Sequence, residues 1–174
     1  MKKAIFCSIL IIIFFTSCSN KNLYQKFQYY AKQENINYKT LMAICKTESN
    51  LKKYVVNVNK SILNIQKGPH YFDNWFTANI YMDMVLDPMF LNYDVGMCQI
   101  NKAHLDKFNL DNEDLLEEDK NIEIAAKIYN WNVRACKGKI VCALSLYNTG
   151  HKKSSVGKKY ARKVLKIRKK MFGK

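Results

Sequence analysis

Hydrophobic residues recur every three to four positions through most of the chain, which is the spacing of one face of an α-helix. Two such faces lie in the first fifty residues: Leu23, Phe27 and Tyr30, then Leu41, Ile44, Cys45 and Glu48. Asn37 is a candidate N-cap of the second helix, because its short side chain can accept a hydrogen bond from a free backbone N–H of the first turn. We therefore expect two helices here.

Three further helical stretches follow. The third helix begins after Asp73 as its N-cap and ends before Pro88, because a residue preceding proline avoids the α region. The fourth begins after Asn121, and a short apolar segment at 140–147 precedes a last helix over residues 156–172. Their faces are formed by Phe76, Ile80 and Met84, by Ile124, Ile128, Trp131 and Ala135, and by Tyr160, Val164, Ile167 and Met171. Alternation at 54–58 is the one strand-like pattern, so the sequence predicts a mostly α fold in a single compact domain over residues 22–172.

The first 17 residues have the pattern of a secretory signal peptide. Lys2 and Lys3 precede an apolar run at 4–15, which is too short to span a bilayer as a helix. The small residues at 16–17 and then Cys18 resemble the lipobox of bacterial lipoproteins, in which the cysteine is acylated and becomes the first residue. We expect an exported, membrane-anchored lipoprotein of the periplasm or cell envelope; cleavage without acylation would give a soluble exported protein.

The chain of 174 residues is strongly basic, with a formal net charge of +15. Its 48% hydrophobic and 25% charged residues are typical of a globular protein. Eleven of the 29 basic residues lie at 152–174 without any acidic residue, whereas residues 18–151 carry 16 basic and 14 acidic side chains. The lysines of this terminal helix are either solvated on a docked helix or bind an anionic envelope surface. Export argues against a nucleic-acid partner.

Glu48 is the most informative single residue. It extends the apolar face of the second helix, seven residues after Leu41 and near the helix C-terminus. Burial and the negative end of the helix dipole both disfavour its carboxylate and raise its pKa. A proton donor near neutral pH needs a raised pKa, since an ordinary Glu titrates at about 4.3. Glu48 is therefore a candidate general acid, with an ordinary surface carboxylate as the alternative.

Four motifs in order resemble those of the soluble lytic transglycosylase (SLT) domain family. They are Thr-Glu-Ser-Asn-Leu at 47–51, Gly-Met-Cys-Gln-Ile-Asn at 96–101, Leu-Tyr-Asn-Thr-Gly at 146–150 and Tyr-Ala-Arg-Lys-Val at 160–164. The helix beginning Asn121-Ile122 resembles the one between the second and third motifs. The family cleaves the glycan strands of peptidoglycan on a goose-type-lysozyme-like α fold. Cys98 and Leu146 replace the usual Met and Ala, which bears on the shape of the pocket rather than its chemistry.

The resemblance implies a reaction and a set of residue roles. Glu48 would protonate the leaving oxygen and then act as base, while the N-acetyl group and 6-hydroxyl of the substrate supply the nucleophiles. The product is a 1,6-anhydro-muramyl end, formed without water, cofactor or metal. Supporting roles fall to Ser49, Tyr147 and Tyr160 (orienting Glu48 or a substrate group), Gln99 and Asn148 (binding sugar amide and hydroxyl groups), and the Met97 backbone (lining the cleft). The alternatives are a helix-end Ser49, a core Tyr147, and a plain turn at Asn148 and Gly150.

Two rival functions stay open. A lysozyme-type muramidase would use a second carboxylate for hydrolysis, with Asp94 or Asp73 as the candidate, and a non-catalytic module would only bind the wall. We favour a turn-capping role for Asp94. The 48-residue spacing from Glu48 to Gly96 resembles that of the small transglycosylases attached to type IV secretion and related transport systems, which implies such an apparatus as a partner.

Four cysteines besides Cys18 follow the signal peptide. An even number in an exported protein predicts disulfides, although four cysteines allow three pairings. Cys136 and Cys142 flank a turn-like Lys-Gly-Lys stretch, and we favour that pair. Cys45 and Cys98 lie beside the first two motifs and could meet beneath the cleft. The three histidines show no metal-ligand spacing.

Overall fold

A computed structural model describes residues 22–60, 64–89 and 91–173 of the chain. The predicted signal peptide at 1–17 and the predicted acylation site Cys18 lie outside the described residues. Within the part that is described, no helix is both long and apolar enough to cross a membrane.

Seven α-helices and four short strands follow one another along the described residues. The helices are α1 (Leu23–Gln33), α2 (Tyr38–Ser49), α3 (Trp75–Ile80), α4 (Leu105–Phe108), α5 (Glu118–Ala135), α6 (Ile140–Thr149) and α7 (Ser155–Phe172). The strands are β1 (Val55–Val58), β2 (Gly68–Tyr71), β3 (Tyr93–Val95) and β4 (Ile100–Asn101). A π-helix at Tyr81–Leu86 continues α3, and 3₁₀ turns lie at Lys102–His104 and Glu113–Leu116. The predicted mostly α, single-domain fold is confirmed.

The helices α2, α6 and α7 form one side of the domain. The predicted cap of α2 is confirmed, since Asn37 Oδ1 accepts a hydrogen bond from the backbone N–H of Thr40 at 3.1 Å. On the inner face of this helix, Leu41, Ile44 and Cys45 are fully buried, as the apolar spacing predicts. The helix α7 approaches α6 closely at Gly157, where a Cβ would collide with Ser145. A glycine is therefore needed for this helix pair to pack.

The four strands form an antiparallel sheet in the order β2-β1-β3-β4. Residues opposite one another on neighbouring strands share a face of the sheet. One row across all four strands consists of Pro69, Asn57, Asp94 and Asn101. Only β1 was predicted from the sequence, because the segments of the other strands carry no extended alternation of apolar and polar residues.

The prediction for the third helix is wrong in its cap and in its buried face. Its N-cap is Asn74, whose side chain accepts a hydrogen bond from Thr77 N, and not Asp73. Phe76, Ile80 and Met84 are 63%, 37% and 72% exposed. The buried residues are Ala78, Met82 and Leu86, which repeat at the same interval on another side of the helix. Spacing alone does not choose between two apolar stripes. The predicted end before Pro88 is confirmed.

The predicted capping role of Asn121 is also wrong, because α5 begins three residues earlier at Glu118. Asn121 is instead buried against the turn between β3 and β4. Its side chain accepts a hydrogen bond from Cys98 N at 2.8 Å and donates to the carbonyls of Val95 and Leu115 at 3.0 and 2.8 Å. Gly96 in this turn has φ +80°, and a Cβ there would collide with Asn121. The second motif is thus fixed in place by a buried amide.

Two disulfides are present among the described residues. One joins Cys45 in α2 to Cys98 in the turn that precedes β4. The other joins Cys136 to Cys142 across the connection between α5 and α6. The first disulfide therefore links the helix that carries Glu48 to the turn that carries the second motif.

Candidate active site

A polar cleft of about 920 Å³ lies between the helices and the sheet. We call its two sides the helical wall and the sheet wall. The helical wall is formed by residues of α2, α6 and α7, chiefly Glu48, Tyr147, Asn148, Tyr160 and Lys163. The sheet wall is formed by the row across the strands, namely Pro69, Asn57, Asp94 and Asn101, and by Asn59, which follows β1.

Glu48 lies in the last turn of α2 and projects into the cleft. Its Oε1 accepts a hydrogen bond of 2.6 Å from the hydroxyl of Tyr160. Burial raises the pKa of Glu48 to about 7; the hydrogen bond from Tyr160 opposes the rise, the negative charge of Asp94 adds to it, and Lys163 opposes it. At neutral pH about half of such carboxyl groups carry a proton. The raised pKa expected from the sequence is therefore present, and burial is its main cause.

Two tyrosines of the helical wall hold fixed positions. Tyr160 on α7 is buried, and its hydroxyl donates a hydrogen bond to Glu48. Tyr147 on α6 donates from its hydroxyl to the carbonyl of Cys98 at 2.9 Å. Burial and the nearby charge of Glu48 raise the pKa of both phenols well above the usual range, so both remain protonated donors. Tyr160 thus contacts the acid directly, and Tyr147 ties α6 to the second motif.

The side chains of Ser49 and Met97 are buried and do not line the cleft. The Ser49 side chain is buried, and its hydroxyl donates to the carbonyl of Met97 at 2.7 Å. The Met97 side chain is 1% exposed and packs in the core. This pair fastens the end of α2 to the turn after β3, beside the Cys45–Cys98 disulfide. The role expected for the Met97 backbone in the cleft stays a prediction.

Gln99 and Asn148 do line the cleft. Gln99 has φ +53°, and its amide nitrogen donates to the carbonyls of Gly96 and Val55 at 2.8 and 3.2 Å. Its amide hydrogens are therefore engaged within the protein. Asn148 is exposed near the end of α6, which Gly150 terminates in a left-handed conformation. Asn148 is the freer of the two to meet a ligand.

Asp94 lies on β3 in the sheet wall, so the favoured interpretation as a turn cap is wrong. Asn101 Nδ2 donates to its Oδ1 at 2.7 Å, and Asn57 Nδ2 donates to its Oδ2 at 3.2 Å. Burial raises the pKa of Asp94, while hydrogen bonds from Asn101, Asn57 and Asn59 oppose that rise. The cleft therefore holds two carboxyl groups, one on each wall.

The sequence analysis missed most of the sheet wall and Lys163. One available signal was the alternation in β1, which turns Asn57 away from the buried Val56 and Val58. A comparable alternation places the polar Asp94 between the buried Tyr93 and Val95. Such short patterns indicate that each strand has a polar side. They do not show that the polar sides of β1 and β3 lie next to each other in one sheet.

The cleft is lined mostly by polar side chains. Its lining offers amides, hydroxyls, two carboxyls and one ammonium group, which match the hydroxyl and acetamido groups of amino sugars. Over residues 22–60, 64–89 and 91–173, no three His, Cys, Asp or Glu side chains are grouped as a metal site.

The family comparison defines the class of protein. The family described as Transglycosylase SLT domain matches residues 25–170, which is most of the chain. The chain therefore belongs to the SLT transglycosylase family, as its four motifs predicted, and is a transglycosylase-type enzyme that acts on peptidoglycan in the cell envelope. The comparisons with curated proteins and with solved structures gave no match.

Proposed function

We propose that this protein is a lytic transglycosylase that cleaves the β-1,4 bond between N-acetylmuramic acid and N-acetylglucosamine without consuming water. The observation that carries the proposal is the environment of Glu48, a carboxyl group with a pKa of about 7 in a cleft lined by amides and hydroxyls. A group that titrates near neutral pH can both give and recover a proton.

The reaction needs two proton transfers, and Glu48 serves both. In the first step, protonated Glu48 donates to the glycosidic oxygen, the bond from C1 to that oxygen breaks, and the N-acetyl oxygen of the muramyl residue bonds to C1. In the second step, the Glu48 carboxylate takes the proton of the 6-hydroxyl, and O6 displaces the N-acetyl oxygen at C1. The result is a 1,6-anhydro end, and Glu48 is protonated again.

Tyr160 and Lys163 act on Glu48 in this scheme. The Tyr160 hydroxyl fixes one carboxyl oxygen and favours the carboxylate formed after the first step. The charge of Lys163 also lowers the pKa of Glu48, and so limits the effect of burial. Both groups hold the pKa within reach of neutral pH, where acid and base forms are available in turn.

A second candidate function is a hydrolase, and the position of Asp94 favours it. A retaining or inverting glycosidase needs a second carboxylate on the opposite side of the bond from the acid. Asp94 lies on the wall opposite Glu48, and its amide donors favour the charged form. In this alternative Asp94 would bind C1 or activate a water, and the products would be reducing ends.

Product analysis separates the candidates. Purified sacculi would be digested with the wild-type protein and the soluble muropeptides measured by mass spectrometry, with Glu48→Gln as the inactive control. We expect 1,6-anhydro ends, which are one water lighter than reducing ends. Reducing ends would support the hydrolase, and a protein that binds sacculi without releasing any fragment would be a wall-binding module.

We further propose that the protein is exported and anchored through an acylated Cys18, and that it opens the wall locally for a secretion or conjugation apparatus. The lipobox-like segment supports the anchor, and the long spacing from Glu48 to Gly96 supports the link to transport. Labelling of cells with a fatty-acid probe tests the anchor: the label should be lost in Cys18→Ala, and equal labelling would contradict acylation at this residue.

A further inference from the structure

The helices α2 and α7 run antiparallel, so their contacts separate the molecule into two ends. Three contacts follow one another in this order: Tyr38 with Phe172, Thr40 with Arg168, and Glu48 with Tyr160. Ten residues of α-helix separate the first and last contacts on α2, which corresponds to roughly 15 Å at 1.5 Å per residue. The cleft therefore lies at one end of this helix pair, and a different surface lies at the other.

That other surface combines aromatic rings with lysines, and we call it the aromatic–basic end. The rings of Tyr24 and Tyr38 meet edge to face at 5.3 Å, and those of Tyr38 and Phe172 at 6.0 Å. The ammonium group of Lys39 lies 5.8 Å from the centre of the Phe172 ring. Tyr24 is 39% exposed. The aromatic–basic end is completed by two exposed lysines in the last turn of α7, Lys169 and Lys170.

The three helices that build this end are almost free of acidic residues. Across the sequences of α1, α2 and α7, Glu48 is the one acidic residue, and it lies at the cleft. The helix α7 alone carries eight Lys and Arg residues. The positive charge of the aromatic–basic end is therefore not balanced by acidic residues of the helices that form it.

The chain enters the described structure at this same end. The α1 helix begins at Leu23, next to Tyr24, and is capped by Asn22. Cys18 precedes Asn22 by four residues, so the two are at most roughly 14 Å apart even if the segment is fully extended. An anchor at Cys18 would therefore attach the domain close to the aromatic–basic end.

We propose that the aromatic–basic end docks onto an anionic phospholipid surface and that the cleft thereby points away from the membrane. Aromatic rings with polar tips favour the headgroup region of a bilayer, and lysines near the surface are attracted by anionic headgroups. A lipid anchor alone tethers the domain, whereas a second, surface contact fixes its orientation. This proposal rests on the anchor proposed at Cys18, which the fatty-acid label tests separately, and it does not depend on the chemistry proposed for the cleft.

A fluorescence experiment on the mature chain, acylated at Cys18 and reconstituted in vesicles, tests this orientation. Phe172→Trp puts an indole at the aromatic–basic end, and Val156→Trp puts one at the opposite end of α7 as a matched control. Phosphatidylglycerol with brominated acyl chains quenches indoles that reach the bilayer, and the unmodified chain corrects for Trp75 and Trp131. We expect quenching of the Phe172→Trp variant at least about twofold stronger than that of the Val156→Trp variant. Equal quenching of the two variants would overturn the proposal.

Charge reversal tests the electrostatic part. In the Phe172→Trp background, Lys169→Glu with Lys170→Glu should remove at least about half of the additional quenching. The control, Lys158→Glu with Lys159→Glu, makes the same change in net charge at the cleft end of α7 and should leave the quenching in place. Equal effects of the two pairs, or equal quenching in brominated phosphatidylcholine, would overturn docking on anionic lipid. So would a change of the indole signal that depends on protein concentration and not on lipid, because it would indicate a second copy of the chain as occupant.

Discussion

The two walls of the cleft carry the same functional group in different surroundings. On the helical wall, Glu48 accepts one hydroxyl hydrogen bond, and burial raises its pKa to about 7. On the sheet wall, Asp94 accepts hydrogen bonds from two asparagine amides, which oppose the effect of burial on its pKa. In our proposal these surroundings, and not the residue type, give Glu48 the role of carrying the proton and leave Asp94 without one.

The walls also differ in how their positions are held. The helical wall belongs to helices of 10 to 18 residues, and the Cys45–Cys98 disulfide fastens α2 to the second motif. The sheet wall belongs to strands of two to four residues and depends on a row of amide contacts. The catalytic group of our proposal thus lies on the wall with the longer elements.

The largest expected loss of activity comes from replacing the carboxyl group of Glu48 on the helical wall. Glu48→Gln keeps the shape of the side chain but cannot release or recover a proton. Activity on sacculi should fall roughly 10²- to 10⁴-fold, the usual contribution of a positioned acid–base group. Binding to sacculi should persist, as measured by cosedimentation. A variant that keeps full activity would show that the cleft uses another acid.

The disulfide of the helical wall should matter more for stability than the second disulfide. Replacing Cys45 and Cys98 by alanine opens a loop of 53 residues, and chain-entropy reasoning gives a loss of about 4 kcal/mol. The matched pair Cys136→Ala and Cys142→Ala opens a loop of six and should cost about 2 kcal/mol. Denaturant unfolding under oxidising conditions measures both. The reverse order would contradict the view that the first disulfide fastens the active-site helix.

The raised pKa of Glu48 also predicts a pH-dependent stability. The folded protein holds this proton up to pH about 7, whereas the unfolded chain loses it near the ordinary value of 4.5. The free energy of unfolding should therefore fall as pH rises between these values and stay lower above them. Glu48→Gln removes this penalty, so it should stabilise the protein by up to about 3 kcal/mol at pH 8 and have little effect at pH 4. Equal effects at the two pH values would mean that the pKa is not raised.

The hydrogen bond within the helical wall should tune the pH profile. Tyr160→Phe removes the donor that favours the Glu48 carboxylate, so the pKa of Glu48 should rise further. We expect a loss of roughly tenfold in kcat/KM and a shift of the alkaline limb of its pH profile to higher pH. A loss of activity with an unchanged limb would assign Tyr160 a packing role only.

The smallest effect is expected on the sheet wall. Asp94→Asn removes a charge but keeps the size of the side chain and its polar character. In a transglycosylase this charge only assists a positive transition state, so we expect a loss below about tenfold. In a hydrolase the same change would cost roughly as much as Glu48→Gln. Measuring the activity of both variants on one batch of sacculi therefore shows whether the reaction depends on Glu48 alone or on both carboxyl groups.

The helical wall was largely accessible from the sequence, and the sheet wall was not. Glu48 and Tyr160 lie on long helices whose apolar spacing indicates where each side chain points, and both belong to recognisable motifs. Asp94, Asn57 and Asn101 meet only through the pairing of very short strands, which no local pattern determines. The wrong face of α3 has a related cause, because two apolar stripes compete and only tertiary packing selects one.

The identity of the new chain ends tests the central claim most directly. Wild-type protein would digest purified sacculi, and mass spectrometry would compare anhydro and reducing muropeptides in the same sample. A transglycosylase in which Glu48 alone carries protons predicts 1,6-anhydro ends as the main product, absent with Glu48→Gln and retained with Asp94→Asn. Reducing ends as the main product, lost with Asp94→Asn, would contradict the account and assign the two walls to a hydrolase.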